Sequence, residues 1–179
     1  MIYTIQTYLP YTVLGAHVLW VILFSSLLFR KSWGKGIAEL VGKYAIPFGF
    51  IVALSAISGS LFYSELVGFE PCVLCWWQRV FLYPQVILFG VALWKGKTDV
   101  FSYAVPLVLL STVLSVYHEY VYLGGTSILP CTALGGACSK IYVLAFGYIT
   151  IPMMSLTISI FILLLAWAHR IYQNENSNA

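Results

Sequence analysis

The sequence predicts an all-α, polytopic membrane helix bundle. Three observations carry that prediction. Of the 179 residues, 61% are hydrophobic and only 8% are charged, against about 25% charged in soluble domains. The mean hydropathy is +0.91. The apolar residues also fall in solid runs, which suits spanning helices and not the alternating strands of a barrel. Composition thus excludes a water-soluble domain and a disordered chain. At roughly 20 apolar residues per span, the length holds about five helices with short connections. No room is left for a soluble catalytic domain, so any chemistry must lie in the helices or their loops.

The spans follow in order. The first is predicted over residues 8–29, which carry no charge apart from the possible one on His17. It has no basic stretch before it, and Arg30, Lys31 and Lys35 follow it. It therefore reads as a retained span and not a cleavable signal peptide. The second is predicted over 44–64, the third over 73–94 with Arg79 inside it, the fourth over 100–122, and the fifth over 146–167. Trp76, Trp77, Trp94 and Trp167 sit near span ends, as an aromatic belt requires. The tail after Arg170 is polar and reads as frayed.

The basic residues set the orientation. Seven of the nine Lys and Arg lie in segments 30–43 and 95–99 and at Arg170, whereas the opposite side carries Lys140. The positive-inside rule places the N-terminus outside, the C-terminus in the cytoplasm, and every cysteine on the outer side. The net charge of +3 comes from scattered short clusters, with no basic stripe interleaved with aromatics. Nucleic-acid binding is excluded on that ground.

Four cysteines stand in two pairs, Cys72 with Cys75 and Cys131 with Cys138. On an oxidising face they admit three readings. They could form structural disulfides, a four-thiolate metal site, or a redox relay. The spacing of Cys131 and Cys138 exceeds the usual zinc pattern. Disulfides across such short loops gain little from chain entropy, which weakens the stapling reading. Cys72 and Cys75 follow Pro71 at the predicted start of the third helix, where unpaired N–H groups and the helix dipole stabilise a thiolate. The second pair encloses Gly135 and Gly136 and follows Pro130. Its glycines suit exchange with a partner.

Arg79 lies four residues after Cys75, on the same helix face. It sits roughly 10 Å below the helix start. Its side chain could snorkel to the headgroups. Placed one turn below a reactive cysteine, it reads instead as a fork of donors for an oxygen that becomes anionic. His118 falls late in the fourth span at a comparable depth, and spacing alone leaves it a packing residue. Glu119 beside it marks the outer helix end. His17 and His169 belong to no constellation.

The run F-E-P-C-V-L-C-W-W-Q-R resembles the DsbB family of membrane disulfide-forming oxidoreductases. So do the Y-H-E-Y ending of the fourth span, the two-cysteine loop, and G-Y-I-T-I-P-M-M-S-L. The resemblance covers residues 44–167. Vitamin K epoxide reductases use similar chemistry, but there the C-x-x-C follows the loop pair, whereas here it comes first. The resemblance implies a quinone-dependent redox domain over 44–170. Residues 1–43 would add a further N-terminal span and a cytoplasmic linker, and 171–179 a cytoplasmic tail. It implies a bacterial inner-membrane location and no metal. Cys72, Cys75, Cys131 and Cys138 would be catalytic, and Arg79, His118 and Cys75 would contact a ubiquinone or menaquinone. The implied partner is a thioredoxin-fold thiol oxidase of the DsbA type. This chain departs from the family pattern in its added helix and its closely spaced loop pair.

Overall fold

The computed structural model describes residues 2–31, 34–128 and 138–177, with main chain only for 2–5. Cys131 lies outside these residues, as do Pro130, Gly135 and Gly136. The helices are α1 (Ile2–Leu28), α2 (Lys35–Lys43), α3 (Ala45–Leu61), α4 (Val73–Lys95), α5 (Phe101–Tyr122) and α6 (Ile151–Ser177). A π-helical turn, Phe62–Leu66, extends α3. No strand occurs among the described residues, and one isolated bridge joins Ala145 and Ile149.

Side-chain pairs set the register. Arg79 and Tyr83 meet Ser60 at one end of the α3–α4 pair, and Phe89 packs over Gly49 at the other, so the helices run antiparallel. A Cβ on Gly49 would lie 2.8 Å from the Phe89 ring, which is why that position carries no side chain. Gln78 with Ser115 and Gln85 with Ala104 set α4 against α5. Ser111 with Ser159 and Glu119 with Thr150 set α5 against α6. His17 with Thr157, and Arg30 with Glu175, run α1 parallel to α6.

The core is apolar around Phe89, Val108, Ile162 and Leu165. A polar ladder crosses it. Gln78 Nε2 donates to Ser115 Oγ at 3.2 Å, Ser115 Oγ lies 3.1 Å from Ser155 Oγ, and Ser159 Oγ donates to Ser111 Oγ at 3.2 Å. Where lipid offers no partner, such interhelical bonds join helices, at about 0.6 kcal/mol each on average.

Four helical segments are long and apolar enough to cross a membrane: Gln6–Leu28, Ala45–Leu66, Phe101–Tyr122 and Ile151–Ser177. The expected third span, α4, has 23 residues, hence sufficient length, but is not among these four. The reason is visible in its packing: Gln78 and Gln85 are buried inside the bundle. The chain is an all-α polytopic membrane bundle whose fifth long helix keeps polar groups inward.

Three local expectations change. Segment 30–43, expected as a linker, contains α2, whose Ala38 and Gly42 are buried. A Cβ on Gly42 would meet the Ala168 carbonyl at 2.7 Å, so α2 lies directly on α6. The last helix starts at Ile151 and not at 146. Phe146 (φ 54°) and Gly147 (φ 77°) hold a left-handed turn. Thr150 Oγ1 then caps the helix by accepting from Met153 N–H at 3.0 Å. Finally, the tail is helical through Ser177, not frayed. Ile171 is buried, and Arg30 pairs with Glu175 at 3.2 Å.

Candidate functional site

Pro71 precedes α4, and Cys72 caps that helix with φ −73° and ψ 172°. Its Sγ takes the place of a capping oxygen and accepts from the Cys75 N–H at 3.4 Å. Cys72 and Cys75 are free thiols, with sulfurs hydrogen-bonded at 3.3 Å. His118 arrives from α5, 46 residues away in sequence, with Nε2 3.5 Å from Cys72 Sγ. His118 is buried, and its Nδ1 has no hydrogen-bond partner. Spacing alone made His118 a packing residue; the structure places it against the dithiol.

These contacts change which sulfur is favoured as a thiolate. The sequence offers the helix terminus to both cysteines and sets Arg79 one turn after Cys75. In the structure the capping position belongs to Cys72. The hydrogen bond with Cys75 draws the Cys72 thiol well below the ordinary thiol range; burial opposes this, and His118 adds to it. A lowered value means that the Cys72 thiolate persists as pH falls below that range. In the reduced protein, alkylation at Cys72 by a small neutral reagent should therefore stay fast at pH 6. Cys75→Ala should raise the midpoint of the rate–pH profile, and His118→Phe should raise it less. Profiles that coincide with wild type would show that neither contact holds the thiolate.

Cys138 is disulfide-bonded. It packs in one buried cluster with Cys72, Leu74 and Val121. The structure thus brings three of the four cysteines together. Cys131 lies outside the described residues. With Cys138 so bonded, a four-thiolate site is not available in this state. The ligand atoms of Cys72, Cys75 and His118 do lie within 4.8 Å of one another, a spacing that also suits a metal ion.

Arg79 does not snorkel. Its Nε donates to Ser60 Oγ at 3.0 Å and its Nη2 to the Ser60 carbonyl at 3.3 Å. The guanidinium lies 5.0 Å from the Trp76 ring centroid. Two of its five donors are used in this way. A cavity of about 500 Å³ is lined by Arg79, Cys72, Cys75, Cys138 and His118. Ser60 and Tyr83 line it too. Sequence reasoning missed Ser60, because it lies in a run of small residues with no charge to mark it. Elsewhere, His17 Nε2 lies 2.8 Å from Thr157 Oγ1 and ties α1 to α6. His169 reaches the Gly42 and Thr98 carbonyls and ties α6 to α2 and the α4–α5 turn.

A polytopic helix bundle with a dithiol at the start of one helix, its Cys72 buried and capping that helix, and a disulfide-bonded cysteine against it, belongs among membrane proteins that exchange disulfides. The family model for disulfide bond formation protein DsbB matches residues 43–169, and the chain belongs to that family. It is a multi-pass membrane, disulfide-forming oxidoreductase. It is 40% identical over 117 residues to disulfide bond formation protein C of Bacillus subtilis, covering 64% of this chain and 84% of that one. It is 32% identical over 137 residues to probable disulfide formation protein C 2 of Bacillus anthracis, covering 76% and 98%. A probable disulfide formation protein of Metapseudomonas resinovorans is 36% identical over 118 residues, covering 65% and 82%. No solved structure matches significantly. The α1 helix precedes the matched region.

Proposed function

We propose that the chain reoxidises a DsbA-like thioredoxin-fold thiol oxidase outside the cytoplasm and passes the electrons to ubiquinone or menaquinone. The observation that carries this reading is the burial of Cys138, in its disulfide, beside the Cys72–Cys75 dithiol. A thiolate of the reduced partner attacks Cys131 of the Cys131–Cys138 disulfide and releases Cys138. Cys138 attacks Cys72 of the oxidised inner pair, and Cys75 leaves as a thiolate. The partner's second thiol then frees Cys131, which re-forms its bond to Cys138 and releases Cys72. Two electrons have moved inward. The loop is then oxidised and Cys72 and Cys75 are thiols; the free thiols at Cys72 and Cys75 and the disulfide at Cys138 support this reading.

The residues around the cavity fit a quinone. The His118 Nδ1 is buried and unpaired, Arg79 has donors to spare, and the space is large enough for a ring between them. Arg79, His118 and Cys75 would hold it, and when bound it supplies a two-electron, two-proton acceptor for the inner pair. Arg79 supplies fixed positive charge, Ser60 holds the guanidinium in place, and His118 steadies the Cys72 thiolate.

The test combines trapping with turnover. A partner variant that lacks its second thiol should accumulate a mixed disulfide with Cys131 of the wild-type chain, with Cys138 as the leaving thiolate, and should form none with Cys131→Ala. If the chain without both loop cysteines oxidises the partner at the wild-type rate, the relay is wrong. The ligand spacing at Cys72, Cys75 and His118 supports a second reading, a metal-binding membrane protein. Stoichiometric metal in the purified reduced protein, with no quinone reduction, would favour it.

The redox domain proposed is 44–170, in the bacterial cytoplasmic membrane, with the N-terminus and all cysteines outside and the C-terminus inside. The distribution of basic residues supports this orientation. After reduction, an impermeant thiol reagent applied to intact cells should label Cys131 and Cys138. Labelling only after permeabilisation would reverse the topology.

A further inference from the structure

The DsbB-like region begins at residue 43, so α1 lies outside it. At its cytoplasmic end, α1 is anchored through Leu23 and Leu27, which pack with Leu164 and Ala168 of α6. It packs on α6 and α2 and forms no comparable interface with α3 among the described residues. The space left between α1 and α3 is a continuation of the cavity that holds the dithiol.

Of the α1 residues that line this space, Leu9, Val13, Ala16 and Leu19 recur at helical spacing on one face, with Thr12 beside them. Opposite them α3 presents small residues, among them Ala56 and Gly59. The α1 lining from residue 9 to 19 spans about 15 Å along the helix axis, half the thickness of a hydrocarbon core of about 30 Å. The ends of the space differ in chemistry. Cys72, Arg79 and His118 stand at one end, and Leu19, Val52 and Phe161 at the other. A ligand that suits both ends has a polar, reducible head and a long apolar chain.

We infer that α1 forms the wall of a binding site for the apolar tail of the quinone, and that the tail leaves for the bilayer through the gap between α1 and α3. This rests on the quinone reading above. The geometry favours a tail in particular because the apolar residues line the same cavity as the dithiol and Arg79. The added helix thereby sets specificity. It rewards quinones with long tails and contributes little to the ring.

The experiment uses the full chain in detergent and two quinones, one with a decyl tail and one without a tail, and binding is read by quenching of tryptophan fluorescence. Ala16→Phe fills the α1 side of the space. It should weaken the decyl quinone at least roughly tenfold, about 1.4 kcal/mol, and leave the tail-less quinone unchanged. Equal effects on both quinones, or none on either, would overturn the inference. Wild-type protein that binds neither quinone would overturn the quinone reading itself. Where the variant does not fold, a decyl quinone with a diazirine at the tail end should photolabel wild-type α1 within residues 9–19. Labelling confined to other helices would overturn the tail site. So would labelling of α1 by a diazirine fatty acid that excess decyl quinone does not displace, because the space would then be a lipid groove.

Discussion

Cys72→Ser should stop sustained oxidation of the partner, slowing it at least roughly 10³-fold, the scale on which loss of a covalent nucleophile acts. In the proposed relay Cys72 is where electrons from Cys138 enter the inner pair, and a serine hydroxyl neither forms a disulfide nor carries charge near neutral pH. Folding is not the cause of the loss, because serine is a good helix cap at the position Cys72 occupies. Electrons would still enter from the partner, so the Cys131–Cys138 pair should accumulate in the reduced form. The measurement is partner thiol loss over many turnovers, together with alkylation of the loop pair. Turnover at the wild-type rate would remove Cys72 from the relay.

Arg79 has the second largest expected effect. Its guanidinium is held by two bonds to Ser60 and lies over Trp76, and it lines the cavity beside the cysteines. Losing one donor at comparable oxyanion sites costs about 2.7–4 kcal/mol in the transition state. Water entering near a membrane interface would reduce that figure. Arg79→Ala should lower kcat/KM for the quinone at least roughly tenfold, about 1.4 kcal/mol. Arg79→Lys should not restore it, because one ammonium cannot bond Ser60 twice and still present a planar fork to a ligand. Single-turnover exchange between the partner and the loop pair should be almost unchanged. Intact quinone kinetics with a poorly inserted protein would instead make Arg79 a membrane anchor.

The pattern of what could be read in advance has a physical basis. Helix starts with a local cause were legible. Pro71 and the residues after it place the start of α4 at Val73, where the sequence predicts it. The start of α6 was not, because an uncharged stretch gives no sign of where a helix begins. The left-handed turn at Phe146 and Gly147 and the Thr150 cap decide it. The helix α2 was hidden in a segment whose charges read as a linker. Its Gly42 contact with Ala168 exists only once α6 is in place.

The sequence by itself determined that the chain is a bundle of membrane helices with two cysteine pairs and a cation within a span. Lipid imposes that outcome locally, because each apolar run must satisfy its own backbone hydrogen bonds wherever it packs. Only the tertiary structure decided what surrounds the dithiol. His118 meets Cys72, Ser60 meets Arg79, and Cys138 packs on Cys72 through antiparallel registers and a loop return, across separations that no local pattern encodes. The His118 contribution to the Cys72 thiolate, which adds to that of the local Cys75 hydrogen bond, follows from this packing, as does the wall that α1 adds to the cavity. Each depends on which helix faces stand opposite one another, and that is settled when interhelical packing and buried hydrogen bonds are satisfied together.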